Sequence, residues 1–320
     1  MSPIEEGRDE MEALNVGIDV SKDSLDVAVL PTGEAFSVPR SSAGVQALVE
    51  RLGPLNAERI GIEATGGFET IVAAGLQAAQ LPVVVLNPAH VRDFAKALGQ
   101  RAKTDRLDAL VIARFVEAVK PEVRLLPDEQ TRELADLVSR RRQIVEMMAA
   151  EKQRLGRTTQ KRLRKSIERL VAALQKELSE VETDIDDAVR GSPAWREREK
   201  LLKTVPGIGP TTARVLLSEM PELGSLDRRR VAALAGLAPW VRESGQWKGR
   251  SKIGGGRATC RAVLFTSALT ATRGTSPFKA YYDRLVAAGK PKMVALIAVA
   301  RKILTIANAI VRDQKPWQPA

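Results

Sequence analysis

The sequence predicts a mixed α/β domain followed by a mostly helical remainder, and three observations carry that prediction. Short apolar runs alternate with amphipathic helical stretches over residues 14–125. Apolar residues then recur at steps of three and four over residues 126–191, the mark of long helices. From residue 192 onward, helical stretches are separated by glycine turns and by one long, basic, glycine-rich segment.

Residues 1–13, MSPIEEGRDEMEA, are polar and acidic, and are expected to be a disordered leader. Val16, Ile18 and Val20, then Leu25, Val27 and Val29, alternate as two half-buried strands would, joined by a turn at Ser21-Lys22-Asp23. Ala35 to Val38 makes a third strand. An amphipathic helix starts at Ser42, with Val45, Leu48, Val49 and Leu52 on one side. Ile60 to Ile62 is a fourth strand, Thr65-Gly66-Gly67 opens another helix, and Pro82 to Leu86 is a nearly all-apolar fifth strand. Three strands, then helix, strand, helix, strand and helices match an RNase H-like order, in which acids occupy the first strand, the fourth strand and a late helix.

Acids stand at those places. Asp19 ends the run Val16-Gly17-Ile18, and Glu63 ends Ile60-Gly61-Ile62. Asp105 and Asp108 sit three apart at the start of an apolar-periodic stretch, so a helix would put them on one face. Four converging carboxylates would repel unless a cation lay between them, and such hard oxygen ligands suit Mg²⁺ or Mn²⁺. The plainer alternative is that each acid caps a helix or turns a chain. Arg92, Lys96, Arg101 and Lys103, between strand and acid pair, would either hold a phosphate backbone or form a solvated face.

After Pro121 and Pro127 the pattern becomes long helix: Leu163, Ile167, Leu170, Leu174, Leu178, Val181 and Ile185 form a coiled-coil-like seam. Two helices folding back near Gly156–Thr159 would make an arm, whose exposed seam argues for self-association. In LLKTVPGIGPTTARVLLSEM, Gly207 and Gly209 lie in a turn between two amphipathic helices. That helix-hairpin-helix pattern offers backbone N–H groups to a phosphate, although a plain helical hairpin reads the same way. The stretch WVRESGQWKGRSKIGGGRATCRAVLF is basic and short of hydrophobes, a long segment more often functional than idle. Two helices follow it, and a loose Pro/Trp tail ends the chain.

The 320 residues carry a net charge of +11, distributed unevenly. Through Val189, 26 Lys and Arg stand against 31 Asp and Glu, and from Arg190 onward 24 stand against 8. A basic half joined to an acid-bearing one points to a polyanionic partner. One cysteine, Cys260, excludes an intrachain disulfide framework, and one histidine, His90, makes a zinc site a poor fit. No stretch offers some twenty uninterrupted apolar residues and the start is no signal peptide, so a cytoplasmic protein without membrane contact is expected.

GIDVSKDSLDV, IEATGG, NPAHVRDFAKALGQRAKTDRLDA, VPGIG, GLAPWVRESGQWKGR and GGGRATCRAVLFTSAL, in this order, resemble the insertion-sequence transposases of the DEDD class, relatives of the Piv site-specific DNA invertases. The resemblance implies a RuvC-like metal-binding domain (14–125), a coiled-coil arm (126–191) and a transposase domain (192–320). It matches Asp19, Glu63, Asp105 and Asp108 to the four metal-binding acids and Ser244 to a nucleophilic serine. It further implies strand exchange between target and donor DNA, guided by an element-encoded structured RNA and carried out by a dimer or tetramer, in a bacterial or archaeal cytoplasm at the nucleoid. Phe68 departs from the pattern, standing where an aromatic hydroxyl is common. The expected chemistry is a phosphoserine link formed by Ser244 with metal assistance, with Lys248, Arg250, Lys252 and Arg257 against phosphate. The rivals are a RuvC-like nuclease or junction resolvase using only the acids, a non-catalytic nucleic-acid scaffold, and a sugar-kinase-like ATPase that lacks its second lobe.

Overall fold

The computed structural model describes residues 13–64, 66–99, 105–123, 128–240, 243–244, 247–248 and 251–319, with residues 105, 106, 243, 244, 247 and 248 described through the backbone alone. The acidic leader, Arg101, Lys103 and Arg250 therefore lie outside the described residues. Two compact units divide the chain, residues 1–126 and 127–320.

The first unit is built on strands β1 (Asn15–Val20), β2 (Ser24–Leu30) and β3 (Glu34–Pro39), helix α1 (Ser42–Leu52), strand β4 (Arg59–Glu63), helix α2 (Glu69–Ala78), strand β5 (Val83–Leu86), and helices α3 (Pro88–Ala97) and α4 (Asp105–Val119). The sheet order is β3-β2-β1-β4-β5. β1, β2 and β3 pair antiparallel, whereas β1 and β4, and β4 and β5, pair parallel. Alternation decides the two faces. Val16, Ile18, Val27, Ile60 and Ile62 point to one side, where they pack with Val45 and Leu48 of α1 and Val72 and Leu76 of α2. Gly17, Ala28 and Gly61 point to the other, and their small size lets α4 lie directly on the sheet.

That contact is unusually close. A Cβ on Gly17 would fall 2.2 Å from the carbonyl oxygen of Ala109 and 2.3 Å from the amide nitrogen of Ala113, both backbone atoms of α4. Further along the same helix, Ile112 and Val116 cover Gly61 and join Val84, Leu86 and Val91 in a core completed by the edge-to-face ring pair Phe94–Phe115. Sequence periodicity alone gave α4 an apolar stripe; the glycines show what that stripe lies on.

The second unit holds α5 (Glu129–Arg157), α6 (Lys161–Gly191), α7 (Pro193–Leu202), α8 (Pro210–Glu219), α9 (Arg228–Leu234), short strands β6 (Pro239–Trp240), β7 (Glu243–Ser244), β8 (Trp247–Lys248) and β9 (Lys252–Ile253), and helices α10 (Ala258–Ala271), α11 (Pro277–Ala287) and α12 (Lys292–Asp313). The helical pair α5/α6 turns back where expected, between Arg157 and Lys161. It is not a separate body. Leu134, Val138, Leu178, Val181 and Ile185 share one core with α7, α8, α10 and α12, because only the half of the pair away from its turn has partners beyond itself. Along the other half of α6, Leu163 and Leu170 stay exposed at 51% and 46%.

α12 runs through that core, with Val299, Ala300, Ile303, Leu304 and Ala307 fully buried. By length and composition it passes for a membrane span, unlike the sequence expectation, but 56% of its most apolar window is buried inside the unit, as in a core helix. The buried Asn308 amide donates to Leu226 O at 2.8 Å and its oxygen accepts from Gly224 N at 2.8 Å, which fastens α12 to the loop before α9. The terminal tail is pinned rather than loose: Trp317 stacks on Phe278 and its amide donates to Thr204 Oγ1 at 2.9 Å.

Gly17→Ala should cost at least about 2 kcal/mol of stability by chemical denaturation, because two backbones must separate to admit one methyl. Gly53→Ala, where a Cβ meets nothing within 4 Å and φ is −54°, should stay within about 0.5 kcal/mol of the parent.

Candidate active site

Asp19 is the residue after Ile18 on β1, and Glu63 the residue after Ile62 on β4; Ile18 and Ile62 are parallel partners. The two carboxylates therefore leave the same end of adjacent strands, side by side, on the face that carries Gly17 and Gly61. That face is the one α4 covers. The direction of α4 follows from two contacts: Val116 lies at Gly61, while Arg59, at the start of β4, donates through Nε to Pro121 O at 3.0 Å. The helix thus runs against β4, and its first residues reach toward the strand ends where Asp19 and Glu63 stand. Asp108 lies about 12 Å before Val116 along the helix, and Asp105 begins it.

Asp19, Glu63 and Asp108 are each half-buried. The side chain of Asp105 lies outside the described residues, and among those described no three acidic, histidine or cysteine side chains close into a metal-holding group. The residue types fit a hard divalent cation, since all four expected ligands are carboxylates, and Asp19 and Glu63 leave the same end of adjacent strands toward which the start of α4 runs.

The register adds an acid that the sequence reading passed over. Asp26 of β2 is the antiparallel partner of Asp19 and shares its face, with Ser24 Oγ donating to Asp26 Oδ2 at 3.3 Å. The signal was present in the alternation of Leu25 and Val27, which turns Asp26 away from the α1/α2 core. At the same edge Arg40 donates through Nε to Lys22 O at 2.7 Å and lays its guanidinium 4.6 Å from the ring centre of Phe68. Arg92 and Lys96 are exposed on α3, with Lys96 paired to Asp93 at 3.1 Å.

Ser244 belongs to the other unit. Within the long basic segment two short antiparallel pairings are described: Pro239 pairs Ile253 and Trp240 pairs Lys252, while Glu243 pairs Lys248 and Ser244 pairs Trp247. Glycine content hid these two-residue pairings, which have no hydrophobic alternation to announce them. Ser244 pairs Trp247 through the backbone; its side chain and that of Lys248 lie outside the described residues. Lys252 is exposed on β9. After it, Arg257 N donates to Leu234 O at 2.8 Å and Arg261 Nη1 to Gly255 O at 2.6 Å, which ties the end of the segment to the end of α9.

Arg257, expected against phosphate, is taken up within the protein. Its guanidinium forks onto both oxygens of Glu222 at 2.6 and 2.7 Å. Burial works against its charge, but the paired carboxylate more than offsets this and raises its pKa. Gly207 likewise serves packing: at φ +93° a Cβ there would lie 2.4 Å from Ser267 O on α10. Gly209 is different, exposed just ahead of α8, whose first amides have no side-chain cap. Cys260 is fully buried in α10 and burial pushes its thiol up to about 12, which removes it from nucleophilic chemistry.

Two family models match the chain: one described as a transposase of the DEDD IS110 type over residues 16–162, and one described as a transposase of the IS116/IS110/IS902 family over residues 199–283. The chain is 28% identical to a pilin gene-inverting protein of Moraxella lacunata, over 96% of this chain and 98% of the relative. It is 27% identical to the protein of that name from Moraxella bovis, over the same shares. An uncharacterized 42 kDa protein of insertion element IS900 from Mycobacterium paratuberculosis is 33% identical over 47% of this chain and 39% of its own length.

Removing the carboxylate in Glu222→Ala should strand the guanidinium of Arg257 and lower stability by about 2 kcal/mol, the pair being only partly shielded from solvent. Asp227 accepts from the amides of Arg229 and Arg230, and those backbone bonds hold its carboxyl below the usual aspartate range. A lowered carboxyl pKa stabilises the fold above the unfolded value, and that contribution fades as pH falls through the folded one. Asp227→Ala should therefore be less stable than the parent at neutral pH, and the two melting curves should converge in acid.

Proposed function

Because the chain belongs to the IS110 class of transposases and recombinases, related to the pilin gene-inverting proteins, we propose that it cuts and rejoins DNA through a covalent bond between Ser244 and a strand end. The observation that carries this reading is the edge where Asp19 and Glu63 leave neighbouring parallel strands and the first turn of α4 approaches the same end. The strand order β3-β2-β1-β4-β5, with acids on β1, β4 and a later helix, supports an RNase H-like, RuvC-like reading of the first unit.

Asp19, Glu63, Asp105 and Asp108 would hold Mg²⁺ or Mn²⁺, which when bound supplies charge neutralisation at the scissile phosphate and acidifies a nearby hydroxyl. The Ser244 oxygen attacks phosphorus and gives its proton to solvent. One phosphorus–oxygen bond forms at the serine as one to the strand breaks, and the released strand oxygen takes up a proton. The number of phosphoester bonds is unchanged, so a second strand end can displace the serine with no outside energy source. No described histidine lies in the segment around Ser244 to act as base, which is why the chemistry is assigned to a metal-assisted serine. Lys248, Arg250 and Lys252 would contact the phosphate chain, while the open amides behind Gly209 would take a second phosphate in a helix-hairpin-helix manner.

Guidance by an element-encoded RNA, action on target and donor DNA, and a cytoplasmic, nucleoid-bound location belong to the same proposal, supported by the excess of Lys and Arg after Arg190. A dimer or tetramer is supported by the exposed Leu163 and Leu170 of α6, which a second copy would cover. Such an assembly would let the acids of one copy serve the serine of another.

Ser244→Ala should abolish the denaturant-stable protein–DNA adduct and lower strand joining more than about a thousandfold, whereas Asp108→Asn should lose both cutting and the adduct while keeping DNA affinity. Gel analysis of labelled substrate decides it. If Ser244→Ala still cuts at the parent rate, the serine mechanism is wrong and the acids alone act as a nuclease. Joining of two DNAs should also depend on RNA that copurifies with the protein, and undiminished joining after ribonuclease treatment would remove the guide.

A further inference from the structure

A concave site in the second unit has no part in the chemistry above. Strand β9, the region around Leu237–Pro239, and the first half of α12 enclose a cavity of about 620 Å³, a volume suited to a compact ligand. Much of its lining is apolar: Leu237, Ile253, Met293, Val294 and Ile297, with Tyr281 among them. Met293 and Val294 are 60% and 49% exposed, which is costly for large apolar side chains set next to one another. The same lining holds Arg228 and Arg229 from α9 and Arg301 and Lys302 from α12, and no carboxylate is among its described residues. None of those four cations shares an ion pair among the described residues, unlike Arg214, Arg230 and Arg257 of the same unit.

We infer that this cavity receives one unpaired nucleotide of a DNA strand, its base on the apolar lining with Tyr281 and its phosphates on the arginines. The two features of the cavity together select this ligand. The apolar lining asks for a flat, weakly polar face; the cations ask for anionic charge in the same cavity. A nucleotide outside a duplex offers both, since its base face is bare and its phosphate adjoins it. A duplex offers only the charge, because its bases are stacked on each other and show the grooves only their edges. Location agrees with the choice. Pro239 and Ile253, paired with each other in the segment that holds Ser244, both line the cavity, so a seated nucleotide would anchor a strand opened beside that segment. This rests on the reading of the protein as a DNA recombinase, but it concerns binding alone.

The test is equilibrium binding by the full chain, in EDTA so that no chemistry intervenes, to a fluorescent twelve-nucleotide DNA strand and to a duplex of that length. Met293→Gln with Val294→Gln changes no charge and touches exposed positions only. It should weaken the single strand about tenfold, as expected for loss of one base platform, and the duplex less than about twofold. An iodouracil placed in the strand should crosslink on irradiation to Tyr281 or Met293. Equal weakening of strand and duplex, or no weakening with an unchanged melting temperature, would overturn the inference. So would tighter binding of an RNA strand of the same sequence than of DNA, or displacement of the strand by an acidic peptide at lower concentration than by free DNA. Failure here leaves the Ser244 adduct assay untouched, and failure of that assay leaves this measurement standing.

Discussion

Everything at the candidate active site depends on how closely α4 can approach the sheet. The approach is set by Gly17: where any other residue would place a Cβ, the structure has backbone atoms of Ala109 and Ala113. Ala28 and Gly61 extend the same shallow track across β2 and β4. Where it crosses Gly17, α4 is held at fixed height, because Ala109 and Ala113 meet the sheet through backbone atoms that cannot adjust as side chains do. The acids on the first turn of α4 therefore inherit their height above Asp19 and Glu63 from residues that take no part in the chemistry. An additional methyl group at Gly17 would press on Ala109, next to Asp108 and about one helical turn from Asp105.

The second unit shows why net charge overstates a nucleic-acid surface. Several of its cations are spent internally. Arg214 of α8 pairs with Glu199 of α7 at 3.0 Å and also with Asp186 of α6, which draws the base of the long helical pair against the following helices. Arg257 is locked to Glu222. Among the described residues, Arg228, Arg229, Arg301 and Lys302 share no ion pair and line one cavity together with apolar side chains, although the charge of Arg229 also acts on Asp227. Position, rather than number, separates a cation that builds the fold from one that meets a ligand.

Much of the first unit was legible in the sequence, because buried strands obey a period of two and their ends are marked by polar residues. Asp19 and Glu63 could be placed at strand ends from Val16-Gly17-Ile18 and Ile60-Gly61-Ile62 alone. That Asp26 stands across from Asp19 could not, since register between strands depends on a turn whose geometry the alternation does not encode. The pairings around Ser244 were equally hidden: two-residue strands carry no period, and glycine permits many paths. The arm was read as a body of its own because a coiled-coil pattern looks the same whether the outer face of its helices meets water or, as for Leu178 and Ile185, a larger core. Arg257 and Glu222 are far apart in sequence, and nothing in composition tells a paired arginine from a free one.

The acids are not equal in what they require. Asp105 and Asp108 lie in the first turn of a helix, where the aligned peptide dipoles favour negative charge, so helix formation alone would accept them there. Strand dipoles alternate and give no such compensation. Asp19, Asp26 and Glu63 are nonetheless brought onto one face of three adjacent strands by register. At the same edge Arg40 donates to the Lys22 carbonyl and lies over Phe68. An ion held as proposed would take two of its ligands from strand ends, Asp19 and Glu63, and two from the first turn of α4. In such a site the height of the helix pair over the strand acids would follow from the fit of α4 on Gly17.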